Sequence, residues 1–269
     1  MPEGDTIFRA ARTLNQALAR RMVTRFDSVF TRLTRVNEHH PIVGRMIDRV
    51  DARGKHLLIW FSGDLVLRTH MRMHGSWHIY RPGERWQRPR AEMRIIIGTP
   101  EYEAVAFSVP VAELTSGRDL DRDPAVRDLG PGILQDEFDT AEAVRRIESM
   151  PDAHIADALL DQRAIAGIGN IFKSEALFVA RINPFARVGD LSRADVERAV
   201  DAARRLLRAS ALQRPGAFSV YSRSGRPCRR CGTPISRRKQ GIDARVTYWC
   251  ERCQRKRRGP FGSAKARTR

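Results

Sequence analysis

Two Cys-x-x-Cys pairs, Cys228/Cys231 and Cys250/Cys253, stand 18 residues apart near the end of this 269-residue chain. No other feature restricts the fold as tightly. Each pair forms a tight knuckle whose two thiolates share one metal ion, and a β-hairpin between the knuckles closes the tetrahedron. The alternative, a pair of disulfides, belongs to small secreted chains. No apolar signal region follows Met1, and no segment is long and apolar enough to cross a bilayer, so the chain reads as intracellular. The four cysteines are therefore assigned to one structural Zn2+. All four ligands are protein thiolates, which leaves no coordination position for a substrate. The hairpin, rather than the ion, is the working part.

The charge points to the partner. Lys and Arg total 49 against 31 Asp and Glu, a formal net charge of +18. The segment from Tyr221 to Arg269 holds 16 of those cations against two acids, Asp243 and Glu251. A surplus concentrated at one end is the electrostatic footprint of a polyanion binder, and nucleic acid is the usual polyanion. The apolar fraction of 42% is that of a folded protein with a sizeable core.

Periodicity divides the rest. Asp5 or Thr6 can cap a helix whose one face carries Ile7, Ala11, Leu14, Ala17 and Leu18. From Thr24 to about Pro110 short β-like runs follow, such as 55–61, 64–68, 92–97 and 104–109, the pattern of an antiparallel sandwich or barrel. Residues 121–137 hold Asp, Pro and Gly without a period. Helices are expected from Asp139, over about 153–162, after Gly167-Ile168-Gly169-Asn170, and from Ser192 to the Pro215-Gly216 break. The predicted organisation is a first domain over 1–124, a linker over 125–137, a helical domain over 138–220, a four-cysteine finger over 221–254 and a basic tail over 255–269.

The first four residues are chemically the most pointed. Aminopeptidases remove a Met that precedes a small residue, so the mature chain is expected to start at Pro2, with Glu3 next to it. A terminal amine titrates near pH ~8, so a useful fraction is neutral and nucleophilic at neutral pH. A secondary amine attacking an aldehyde-like carbon gives an iminium, the electron sink of Schiff-base enzymes. Other candidates are weaker on their own. Gly167-Ile168-Gly169-Asn170 is either a backbone cradle for phosphate or a plain helix connection. Lys55, in Gly54-Lys55-His56, either faces phosphate or is simply solvated. Arg72-Met73-His74 before Gly75 suits a wedge into a base stack, although Met73 fits an ordinary core position equally well.

Together these pieces resemble the formamidopyrimidine-DNA glycosylase and endonuclease VIII (Fpg/Nei) family of base-excision repair, nearly end to end. Pro2-Glu3, Gly54-Lys55-His56, the run from Leu159 through Asn170, Ser174 to Phe178, and the terminal ribbon all occur in the family's order. The resemblance implies an α+β multidomain chain: an antiparallel β-sandwich with an N-terminal helix, a helix–two-turn–helix domain and a zinc-ribbon hairpin. It implies damaged duplex DNA as the partner, bound between the domains by a monomer in the cytoplasm, at the nucleoid. Pro2 is then the nucleophile at the sugar C1′ and Glu3 the acid/base. Lys55, Asn170 and Arg245 match phosphate-gripping positions, and Arg72, Met73 and His74 those that fill the gap left by an extruded base. The implied reaction is base removal followed by β- and δ-elimination. The opening Met1-Pro2-Glu3-Gly4 and the short connection from Leu207 to Tyr221 look more like the endonuclease VIII branch, which takes oxidised pyrimidines. The alternatives are an 8-oxoguanine-directed enzyme of the same family and a non-catalytic binder of damaged DNA. Asp5-Thr6 departs from the Pro-Glu that many members carry there.

Overall fold

A computed structural model describes residues 2–212 and 216–255. The expected Pro215 break and nearly all of the expected basic tail lie outside the described residues. The chain divides into two compact units, Met1–Leu129 and Gly130–Arg269.

The first unit contains, in chain order, α1 (Gly4–Leu18), β1 (Arg25–Ser28), α2 (Thr31–His39), β2 (Ile47–Arg53), β3 (His56–Phe61), β4 (Leu65–His70), β5 (Ser76–Tyr80), β6 (Met93–Gly98), β7 (Glu103–Phe107), β8 (Val111–Ser116), α3 (Gly117–Arg122) and α4 (Pro124–Arg127). The strands form two four-stranded antiparallel sheets, β1-β6-β7-β5 and β2-β3-β4-β8. Their two-residue side-chain period explains the packing. Leu57, Ile59 and Phe61 of β3 join Ile95 and Ile97 of β6 in one central core, together with Ile7, Ala11, Leu14 and Leu18 of α1. Leu58 and Trp60 point the other way and meet Leu120 of α3 and Val126 of α4. Ile96 likewise turns outward to Tyr80, Val105 and Phe107. Both faces of these strands are buried, which is why they read as apolar runs and not as alternation.

α1 is pinned along its length. Asn15 Oδ1 accepts a hydrogen bond from the Val50 amide of β2 at 2.8 Å, in addition to the buried apolar face. The sequence reading of 24–110 as strands misses α2. That helix buries only Leu33, so its periodic signal is one residue deep. The stretch read as an unpatterned linker is partly structured. Asp123 Oδ1 accepts from the Ala125 amide and caps α4, a helix too short to show a period.

The second unit contains α5 (Thr140–Glu148), α6 (Ile155–Ala158), α7 (Asn170–Ala180), α8 (Arg193–Leu212), β9 (Ser236–Gln240) and β10 (Arg245–Trp249). α5 begins as expected, with Asp139 Oδ1 accepting from the Glu142 amide. α8 starts at a reciprocal capping pair between Ser192 and Asp195. The helices close around Ile147, Ile155, Leu159, Leu177, Val200 and Leu207.

The helix expected over 153–162 is only the single turn of α6. Gln162 accounts for the difference. Its Nε2 donates to the carbonyls of Leu160 and Ile168, and its Oε1 accepts from the Gly167 amide, at 2.7, 3.0 and 3.0 Å. One side chain thus staples two successive turns in place of a longer helix. Gly167, at φ 107°, occupies a conformation that favours glycine there. The turns lead directly into α7, and the segment after Gly130 pairs back onto them through Gly130 to Gln162 and Ile133 to Ala166. No helix among the described residues is long and apolar enough to cross a membrane.

Candidate active site and zinc ribbon

In the first unit, Glu3 stands at the N-cap of α1. Its carbonyl accepts from the amides of Thr6 and Ile7, its side chain makes no capping bond, and it is 1% exposed. Pro2 precedes it and is half-buried. Asp5 in the first turn is buried and pairs with Arg9 at 3.2 Å, so this departure from the family pattern keeps a carboxylate close to the terminus.

Lys55 occupies the two-residue turn between β2 and β3, where Gly54 takes φ 58°. Register brings His56 opposite His70 across β3 and β4, and their rings meet edge-on with centroids 5.1 Å apart. His70 ends β4 and leads into the Arg72–His74 loop, so this pair joins the Lys55 turn to that loop. His70 Nδ1 accepts from the Arg72 amide at 3.0 Å, and Arg72 itself takes φ 50°. The Gly75 amide closes the loop onto the Met71 carbonyl at 2.9 Å. A Cβ at Gly75 would lie 2.6 Å from that oxygen, so only glycine fits. Met71 is buried, whereas Met73 is 52% exposed between exposed Arg72 and His74. Of the two readings the sequence allowed for Met73, the core position is therefore excluded.

Both histidines are held neutral. Burial pushes His56 down to about 3, helped by His70 and Arg68. Burial, followed by Arg72, Lys55 and Arg68, pushes His70 down to about 4. Neutral His70 can accept from the Arg72 amide; a protonated ring could not.

In the second unit, Asn170 opens α7 and is largely buried. Its Nδ2 donates to the Val246 carbonyl of β10 at 2.9 Å. Arg245 is the residue before Val246, at the first position of β10 and half-exposed, with Asp243 at 3.6 Å. The Gly-x-Gly-Asn motif is thus joined to the hairpin strand that carries Arg245. Sequence reasoning missed two further residues on α7. Glu175 is buried and accepts from the amides of Ser219, Val220 and Tyr221, each at 2.8 Å, which anchors the approach to the ribbon. Lys173 is wholly buried one turn beyond Asn170. Glu175 was visible as part of a motif, but its role was not; a buried lysine leaves no mark in a sequence this basic.

The four cysteines converge. Their Sγ atoms all lie within 4.8 Å of one another, with Cys231 and Cys250 at 3.4 Å and Cys228 and Cys253 at 4.0 Å. A tetrahedron with Zn–S bonds of about 2.3 Å has edges of about 3.8 Å, so the set fits zinc. None of the four is in a disulfide. Thr233 draws Cys231 down to about 6, while burial and the neighbouring sulfurs push Cys253 up to about 12. Four thiolates this close cannot all ionise without a cation among them, which is the chemical case for a metal. Bound zinc supplies cross-linking alone, since the donor set is closed. The second knuckle is also tied to the end of α7, through Gln254 to the Ile182 carbonyl at 2.9 Å and Asn183 to the Gln254 carbonyl at 2.8 Å.

The histidine pair sets a pH dependence. Their folded values lie below the unfolded value near ~6.5, so the unfolded chain takes up protons first and stability falls as pH drops below that point. The melting temperature of the intact protein should fall from pH 7 to pH 5, and His70→Gln, which keeps an acceptor for the Arg72 amide, should flatten that slope. A melting temperature that holds or rises on acidification would contradict the assignment. For the ribbon, metal analysis should return about one zinc per chain, and Cys250→Ser, at a buried ligand, well under half of that. Full metal content in the variant would show that the four thiolates are not the site.

Residues 1–109 match the formamidopyrimidine-DNA glycosylase N-terminal domain, residues 129–220 the formamidopyrimidine-DNA glycosylase H2TH domain, and residues 225–255 the zinc finger found in FPG and IleRS. Endonuclease 8 2 of Mycobacterium tuberculosis is 38% identical over 268 residues, covering 95% of this chain and 100% of that protein. The DNA-(apurinic or apyrimidinic site) lyase Nei2 of Mycolicibacterium smegmatis is 37% identical, covering 94% and 99%. Endonuclease 8 of Escherichia coli is 31% identical, covering 94% and 100%. Among solved structures, the Lactococcus lactis formamidopyrimidine-DNA glycosylase, non-covalently bound to DNA containing an AP site, superposes with a TM-score of 0.82 at 21% identity. It covers 95% of this chain and 100% of that one, a likeness of fold. By three successive domain matches and by relatives at 31–39% identity over most of the chain, this chain belongs to the formamidopyrimidine-DNA glycosylase and endonuclease VIII family.

Proposed function

We propose that this protein is a bifunctional DNA glycosylase and AP lyase of base-excision repair that removes oxidised bases, pyrimidines foremost. The observation that carries the reading is Pro2 beside a carboxylate, Glu3, buried at the head of a helix whose apolar face is locked into the sandwich core. Once Met1 is removed, the Pro2 amine attacks C1′ of the damaged nucleotide and the C1′–N bond breaks, with Glu3 handling the proton that goes to the sugar or the base. The C1′–O4′ bond then breaks, with O4′ taking a proton and the sugar ring opening, and the resulting iminium at C1′ acidifies the C2′ proton. Its removal expels the 3′ phosphate, and a second elimination expels the 5′ phosphate. Water then hydrolyses the iminium, which releases the sugar remnant as an aldehyde and frees the Pro2 amine.

The base must first leave the stack, at a cost of a few kcal/mol that phosphate contacts and a wedge offset. Lys55, Asn170 and Arg245 are the proposed phosphate contacts. Exposed Met73, between Arg72 and His74, is the proposed wedge. The basic segment from Tyr221 onward supplies the long-range attraction. One chain carries every residue this scheme requires, and the working place is the nucleoid. Relatives that bear the endonuclease 8 name support the pyrimidine branch.

The test is a panel of duplexes holding 5-hydroxyuracil, 8-oxoguanine or an abasic site, offered to untagged protein. Cleavage at 5-hydroxyuracil should exceed that at 8-oxoguanine by about tenfold, the scale on which one pocket contact discriminates, and phosphate should remain on both ends of the gap. Faster cleavage at 8-oxoguanine would move the protein to the purine branch. No cleavage even at the abasic site would make it a binder only.

A further inference from the structure

Lys173 is 0% exposed on a helix that also buries Phe172, Ala176 and Leu177. A buried ammonium is costly unless its protons are hydrogen-bonded. Here Nζ donates to Asn170 Oδ1 at 2.8 Å and to Thr247 Oγ1 of β10 at 2.7 Å. Thr247 Oγ1 in turn donates to Gln240 Oε1 at 2.9 Å, and Gln240 Nε2 donates to the Pro184 carbonyl at 3.1 Å. The lysine is thus the hub of a network that joins the start of α7 to both strands of the hairpin.

This network has a consequence for Asn170. An ammonium only donates, so it holds the amide oxygen of Asn170 toward itself and excludes the flipped amide. The nitrogen then faces β10, where one Nδ2 proton meets the Val246 carbonyl at 2.9 Å. The second Nδ2 proton is the donor left for an anion. Lys173 also holds Thr247 while Asn170 holds Val246, so two consecutive residues of β10 are fastened to α7 immediately after Arg245.

We propose that Lys173 is a positioning residue for the phosphodiester grip: it orients the Asn170 amide and fastens the strand that carries Arg245, so that both groups meet the backbone of the damaged strand as one preformed unit. This rests on the reading of Asn170 and Arg245 as phosphate contacts. Lys173 itself does not touch DNA.

The experiment is a double-mutant cycle on the full zinc-loaded chain, reading affinity for a duplex that carries an uncleavable tetrahydrofuran abasic analogue. Asn170→Ala should weaken binding. Lys173→Met, of similar length but without donors, should weaken it about tenfold, a size usual for residues in one hydrogen-bond network. Added to Asn170→Ala, Lys173→Met should weaken binding by clearly less than it does alone, because the arm of Lys173 that acts through Asn170 is already gone and only the arm to Thr247 remains. Wild-type affinity for Lys173→Met beside a weakened Asn170→Ala would overturn the proposal, as would effects that simply add. Wild-type affinity for Asn170→Ala would instead remove the phosphate reading on which the proposal stands. Should Lys173→Met lose its zinc, Thr247→Val, which deletes only the arm to β10, takes its place: weakened binding by the zinc-loaded variant supports the fastening role, and wild-type affinity overturns it.

Discussion

The chemistry proposed for this chain sits at its terminus, and chain termini normally fray. What prevents fraying here is the burial of one face of α1 against the sandwich. Ile7, Leu14 and Leu18 are almost completely removed from water, and Asn15 ties the helix to β2. Burying each such side chain is worth about 1.5–3 kcal/mol, enough together to make the first turn of α1 part of the core. Glu3 is fixed because the residues after it are, and Pro2 is carried by Glu3. The sandwich is therefore a mount for two residues, and its core is where their position is decided.

The second unit solves a related problem by different means. A hairpin of two five-residue strands is at best marginally stable alone. Four thiolates around zinc close one end of it. Lys173, Asn170, Glu175 and Gln254 fasten it, or the segments leading to it, to the helical core by hydrogen bonds whose geometry is specific. Metal and polar network divide the work: the metal makes the ribbon fold, and the network decides where Arg245 stands.

Much of this was legible in the sequence. The cysteine spacing gave the metal site because ligand geometry admits few spacings. The apolar runs gave the sandwich because strands buried on both faces cannot hide their composition, and the face of α1 was readable residue by residue from Ile7 to Leu18. Other parts were not legible, for physical reasons. α2 buries only Leu33, so no period announces it. The helix expected across 153–162 gave way to turns because one side chain, Gln162, binds the Leu160 carbonyl before it and the Gly167 amide and Ile168 carbonyl well after it. His56 and His70 become a pair only through strand register. Lys173 is one cation among 49 and differs from the rest only in being enclosed.

In the proposed mechanism the α-amine of Pro2 forms the covalent intermediate. Its most direct test is borohydride reduction of untagged protein on abasic-site DNA, with intact mass and peptide mapping of the trapped product. The expected product is a chain that begins at Pro2 and carries the sugar remnant on the Pro2 nitrogen. A cross-link mapped to Lys55 or any other lysine, or no adduct from protein proven to begin at Pro2, would contradict it.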